Sequence, residues 1–200
     1  MNIIIVGCGK VGSTLAEQLC NEEHQVVVID TNSDKIQQLS EDLDLLGITG
    51  NGSSIGVLSE AGVKEADILI AVTGSDELNL LCCLIAKKVS SCHTIARVRN
   101  PIYNKEIHFI KERLGVSMII NPELAAAMEI SRLLRFPSAI KLDTFSKGRV
   151  ELLKFKLLPE FRLHGMSVME VIEKYRSDIL ICGVERGGNV YIPSGSFTLQ

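Results

Sequence analysis

The chain has 200 residues, 46% of them hydrophobic and 22% charged, and a formal net charge of −3 at pH 7. That balance excludes a disordered polymer, and with no run of Lys or Arg longer than Lys87-Lys88 it offers no basic field for nucleic acid. Six cysteines fall in no Cys-x-x-Cys and no Cys/His ligand spacing, so they read as reduced thiols, not as crosslinks or metal ligands. No apolar stretch approaches the ~18 residues that span a bilayer, so no membrane anchor is expected.

In chain order, Ile3 to Val6 is a short continuous apolar run, as expected of a strand buried on both faces. Gly7-Cys8-Gly9-Lys10-Val11-Gly12 follows, and then a helical pattern from Val11 to Cys20. The alternation repeats with strands expected at Val26 to Ile29, Leu45 to Ile48, Ile68 to Val72, Thr94 to Val98 and Met118 to Ile120. Helices are expected at Lys35 to Leu43, Ile55 to Ala61, Leu78 to Val89 and Asn104 to Leu114. Short β-to-α connections imply right-handed crossovers, hence an α/β, doubly wound parallel six-stranded Rossmann sheet in the order 3-2-1-4-5-6. Pro122 then suits the first turn of a helix from Glu123 to Arg135, ended by Phe136-Pro137.

Beyond that the rhythm changes. A strand at Val150 to Leu157, a helix from Val168 to Tyr175, a strand at Ile179 to Glu185 and another at Val190 to Ile192 make a small α+β lobe. Arg186-Gly187-Gly188-Asn189 is the expected hairpin turn. The boundary is set at 137, giving a nucleotide-binding domain over 1–137 and a lobe over 138–200. The last eight residues carry no recognisable closing element, so a truncated lobe is expected.

The glycines form G-x-G-x-x-G directly after a strand and leading into a helix. Gly7 permits the turn, Gly9 lets the backbone approach a pyrophosphate, and Gly12 lets the helix pack close. The helix's free N–H groups and positive dipole end face the anion. Asp30 ends the second strand, near the ~20-residue offset at which a carboxylate accepts from ribose hydroxyls, and it would repel a 2′-phosphate. NAD(H) is thus favoured over NADP(H). ATP and ADP carry the same hydroxyls and stay open as alternatives. Removing the Asp30 carboxylate is expected to weaken adenosine binding and leave the fold intact.

Other strand ends supply the same rim. Thr73 and Gly74 are placed beside the middle of the ligand, whereas Ser75 and Asp76 are expected to cap the next helix. Arg97 and Arg99 share a face of the fifth strand; Arg97 either meets the phosphates or pairs with a nearby carboxylate. The apolar residues all round Leu78 to Ala86, and the small and apolar residues from Leu124 to Leu134, point to contacts between subunits, with burial within the monomer under the tail lobe as the alternative.

GCGKVGSTLAEQL, VVVIDTN, GNGSS, LIAVTGSDELNLLCC, ARVRNP and NPELAAAMEISRLL resemble, in order and spacing, the nucleotide-binding (KTN, or RCK-type) domains of TrkA-like potassium-uptake regulatory proteins, over residues 1 to 137. The tail resembles the small C-terminal lobe of such proteins. The resemblance implies a cytoplasmic regulatory subunit at the inner face of the membrane. Such a subunit binds NAD(H), or ATP/ADP in some relatives, and gates a TrkH/TrkG-like pore subunit as a dimeric or tetrameric homo-oligomer. It places cofactor contacts on Gly7, Cys8, Gly9, Lys10, Val11, Asp30, Thr73, Gly74 and Arg97, with Gly12 completing the glycine motif. Asn51 departs from the acidic residue or histidine that many relatives carry there.

No catalytic residue and no metal ligand is assigned. An NAD-dependent oxidoreductase, the alternative, needs a proton donor near the nicotinamide. No Tyr-x-x-x-Lys occurs, and His24, His93, His108 and His164 have no evident carboxylate partner in sequence. Cys8 sits at a helix N-terminus that can activate a thiol, but a small side chain fitting a tight turn is the expected role.

Overall fold

The computed structural model describes residues 1–104, 106–146, 149–158, 161–176 and 179–200. The six apolar runs become β1 (Asn2–Val6), β2 (Gln25–Asp30), β3 (Leu46–Thr49), β4 (Ile68–Ala71), β5 (His93–Arg97) and β6 (Met118–Ile120). They form one parallel sheet in the order β3-β2-β1-β4-β5-β6, the expected doubly wound arrangement. The crossovers carry α1 (Lys10–Asn21), α2 (Ser33–Asp42), α3 (Ile55–Glu60), α4 (Asp76–Val89), α5 (Pro101–Asn104) and α6 (Ile107–Leu114); α7 (Pro122–Arg135) follows β6. The single helix expected over 104–114 is two helices, with Pro101 starting the first; Lys105 lies outside the described residues.

Strand alternation sorts the core into two layers. Ile3 and Ile5 of β1 face one side, with Val26 and Val28 of β2, Ala16 of α1 and Ile36 of α2. Ile4 and Val6 face the other, with Leu69 and Ala71 of β4, Leu58 of α3, and Leu80, Cys82, Cys83 and Ala86 of α4. Both faces are covered, so the strands read as continuous apolar runs. Each large side chain removed from water contributes ~1.5–3 kcal/mol. The apolar character of α4 is largely absorbed by this core: Leu81, at 44% exposure, is the large apolar side chain of that helix left in solvent.

The chain divides into compact units Met1–Met128 and Glu129–Gln200, the division falling within α7. In the second unit β7 (Ala139–Phe145) pairs antiparallel with β8 (Val150–Phe155), and β9 (Val184–Arg186) with β10 (Asn189–Tyr191), beside α8 (Val168–Tyr175). β7 was not expected. The strand expected over Ile179 to Glu185 is confined to Val184–Arg186, because those residues face a partner strand, whereas Leu180 is 84% exposed. Gly187 and Gly188 both take left-handed φ values, 57° and 81°, as a two-residue hairpin turn requires.

The last residues pack on α8. Leu199 packs with Val168 and Val171 of α8, its N–H donates to the Met166 carbonyl at 2.9 Å, and its carbonyl accepts from Gly165 N at 2.7 Å. The terminal segment supplies the apolar side chain that the inner face of α8 packs on. Among the described residues no helix is long and apolar enough to cross a membrane.

Candidate functional site

The carboxyl ends of the strands share one edge of the sheet: Val6 is in register with Ile29 and with Ala71, and Ala71 with Ala96. The first loop on this edge follows β1. Gly7 has φ +107°, and its N–H continues the ladder by donating to Ile29 O at 2.7 Å. A Cβ at Gly7 would lie 3.0 Å from the Thr73 backbone, and one at Gly12 would lie 1.8 Å from the Gly7 carbonyl oxygen. Both positions therefore demand glycine. Gly9 differs: it has φ −73°, and a Cβ there would meet nothing within 4 Å. Gly9 is also the N-cap of α1 and supplies no side-chain cap, so the first-turn N–H groups of Lys10 and Val11 keep their donor capacity for an anion.

Asp30 stands beside this loop. Its carboxylate accepts from Cys8 N at 2.6 Å through one oxygen and from Asn32 N at 2.9 Å through the other. An ionised carboxylate has about four acceptor positions, so two stay available to hydroxyl donors. Asn32 in turn caps α2 by accepting from Lys35 N. The Cys8 thiol is 5% exposed and packs in the core, and its pKa is pushed up to about 12, first by burial and then by the Asp30 charge. It is a packing residue, not an activated nucleophile.

The second half of the rim follows β4. Ser75 caps α4 by accepting from Leu78 N, as expected. Asp76 does not act as a cap. Buried to 6% exposure, it accepts from Arg99 N at 2.9 Å and Asn100 N at 2.7 Å, and its other oxygen faces Arg99 Nε at 3.5 Å. Arg99 also donates to the Gly74 carbonyl. Thr73 is held by Asn79, a fully buried residue of α4 that also reaches the Arg97 carbonyl. Sequence reasoning missed Asn79. Its signal was a single amide in the apolar stretch Leu78 to Ala86.

The structure thus brings Gly7, Cys8, Gly9, Lys10, Val11, Gly12 and Asp30 together at one loop, and sets Thr73 against Gly7 with Gly74 next to it. The Arg97 side chain, 15% exposed, is paired with Glu123 in the first turn of α7. Asn51 turns inward to its own loop, its side-chain oxygen accepting from Ser53 N and Oγ. Among the described residues no group of His, Cys, Asp and Glu is placed to hold a metal.

The family model described as the TrkA-N domain matches residues 3–122. The chain belongs to the TrkA-N family. This TrkA-N chain is 36% identical to the Trk system potassium uptake protein TrkA homolog of Archaeoglobus fulgidus, over 100% of its own residues and 45% of that relative. It is 35% identical to the Trk system potassium uptake protein TrkA of Haemophilus influenzae, over 100% of its own residues and 44% of that protein. The chain therefore spans about half the length of the curated relatives it matches.

Among solved structures, the TrkA-N domain of the inner membrane protein ybaL from Escherichia coli is similar, with TM-score 0.60 and 25% identity over 66% of this chain and 96% of that one. The GsuK channel is similar in its ADP-bound crystal structure, with TM-score 0.52 and 25% identity over 60% of this chain and 31% of that one. In its NAD-bound structure it shares the fold, with TM-score 0.57 and 22% identity over 99% of this chain and 35% of that one.

Proposed function

We propose that this chain is the nucleotide-sensing part of a regulatory subunit of a potassium-uptake system, residues 1–137 binding the nucleotide and 138–200 forming a separate lobe. The observation that carries the reading is the uncapped α1 N-terminus at a glycine loop with the Asp30 carboxylate bonded to the same loop. The loop fits a diphosphate: Gly9 leaves the approach clear, and Lys10 and Val11 supply first-turn N–H groups. Asp30 would accept from the ribose hydroxyls, with Thr73 and Gly74 along the middle of the ligand. Arg97 would meet phosphate charge once it exchanges its partner Glu123. The ligand is NAD(H), or ADP or ATP with the same ribose. The ADP-bound GsuK neighbour and the potassium-uptake names of the curated relatives support the reading.

The function is binding, not catalysis. A ligand shifts a conformational equilibrium only through different affinity for the two states, and the proposed output is gating of a membrane pore subunit by a cytoplasmic homo-oligomer of this protein. The test is a thermal-shift panel of NAD, NADH, NADP, ATP and ADP. A ligand at ~100 times its dissociation constant adds about 2.7 kcal/mol of stability. NAD(H) or an adenine nucleotide should give that response and NADP should not; no response from any of the five overturns the reading.

A further inference from the structure

α4 buries one side-chain amide completely. Asn79 is 0% exposed, and its neighbours Leu80, Cys82 and Cys83 belong to the apolar core. An amide so placed is costly unless both its ends are bonded. Here both are, and both reach backbone at the rim. Oδ1 accepts from Thr73 N at 2.8 Å and from Thr73 Oγ1 at 2.7 Å, while Nδ2 donates to the Arg97 carbonyl at 2.9 Å. The sense of the amide is fixed, because Thr73 offers an N–H and Arg97 a C=O. An apolar side chain of the same size would fill the space but leave both groups orphaned.

Resting on the nucleotide reading above, we infer that Asn79 is the positioning residue of the site. It clamps the Thr73-Gly74 turn after β4 to the end of β5, just past Ala71 and Ala96, the last pair of the β4–β5 ladder. The Thr73 backbone is also the surface against which Gly7 packs, with only 3.0 Å left for a Cβ. A displaced Thr73 therefore displaces the glycine loop. Asn79 touches no ligand; it acts through Thr73.

The experiment compares NAD and ADP binding by calorimetry to the wild type, Asn79→Asp, Asn79→Ser and Leu58→Ala, at pH 5 and pH 9. A protonated carboxyl at position 79 can donate to the Arg97 carbonyl as the amide does, whereas the carboxylate opposes it. Relative to wild type at the same pH, Asn79→Asp should bind within about threefold at pH 5 and about tenfold or more weakly at pH 9. Asn79→Ser should lose about tenfold at both. Leu58→Ala, which truncates a buried core side chain of α3 and no residue of the site, should lose stability at unchanged affinity. Wild-type affinity in Asn79→Ser, or in Asn79→Asp at pH 9, overturns the inference and leaves the nucleotide reading standing. A wild type that binds neither probe overturns both.

Discussion

The Asp30 carboxylate accepts the backbone N–H of Cys8 at 2.6 Å, so the end of β2 is bonded to the glycine loop after β1. The same carboxylate holds Asn32 N at 2.9 Å. Asp30 is thus a structural tie as well as the candidate ribose acceptor, which alters the expectation that its removal leaves the fold untouched. Asp30→Ala should cost about 1–2 kcal/mol of stability and weaken nucleotide binding roughly ten- to a hundredfold. Urea denaturation and calorimetry measure the two losses separately; unchanged affinity would discredit the assigned pose.

The glycines of the loop should respond differently from one another. Gly12→Ala places a methyl 1.8 Å from the Gly7 oxygen and should destabilise the first unit by about 2 kcal/mol or more. Gly9→Ala meets no neighbour and should leave the unfolding midpoint nearly unchanged, while its methyl obstructs a diphosphate and lowers affinity. Paired denaturation and binding curves for the two variants distinguish fold from site.

Glu123 holds Arg97, and in the proposed pose it would compete with the ligand's phosphate for it. Glu123→Gln removes the competing charge and should tighten ADP binding about three- to tenfold, whereas Arg97→Gln should weaken it by a similar factor. Equal affinities in both variants would place Arg97 outside the ligand's reach.

Burial pushes the Cys82 thiol up to about 12, as burial and then Asp30 do for Cys8, and burial raises Cys83 as well. A raised folded-state pKa means the folded chain binds more protons than the unfolded one. Stability from these thiols is then fully present below about pH 9, the unfolded value, and is lost as the pH climbs towards 12. At pH 8 a thiol reagent should modify exposed Cys182 first and half-buried Cys20 more slowly, with the remaining four reacting only in urea. Rapid labelling of Cys8 would contradict its assignment as a packing residue.

Much of the first unit was legible because buried parallel strands and glycine turns leave local marks. Ile3 to Val6 followed by Gly7 and Gly9 declares a strand and its bend within seven residues. Long-range partners leave no such mark. Glu123 meets Arg97 from a different element 26 residues away, and the choice between phosphate and carboxylate for Arg97 could not be made from spacing. Asn79 was visible as an oddity, but its role depends on the register that brings the ends of β4 and β5 side by side. In the second unit, Ile140-Lys141-Leu142-Asp143 alternates as a strand should, yet no strand was expected there. Ile179 to Ile181 failed the other way: an apolar run is a strand only where another strand pairs with it.

The opposite edge of the parallel sheet has a consequence of its own. There the helices hand the chain back to the strands, at Gln25 N to Met1 O, Asp67 N to Asn2 O and His93 N to Asp67 O. Every loop credited with ligand contacts lies at the far ends of the same strands. Glu22 and Glu23, exposed at such a return, thus mark a place for a fluorophore or an affinity tag at the end of the sheet opposite the proposed nucleotide loops.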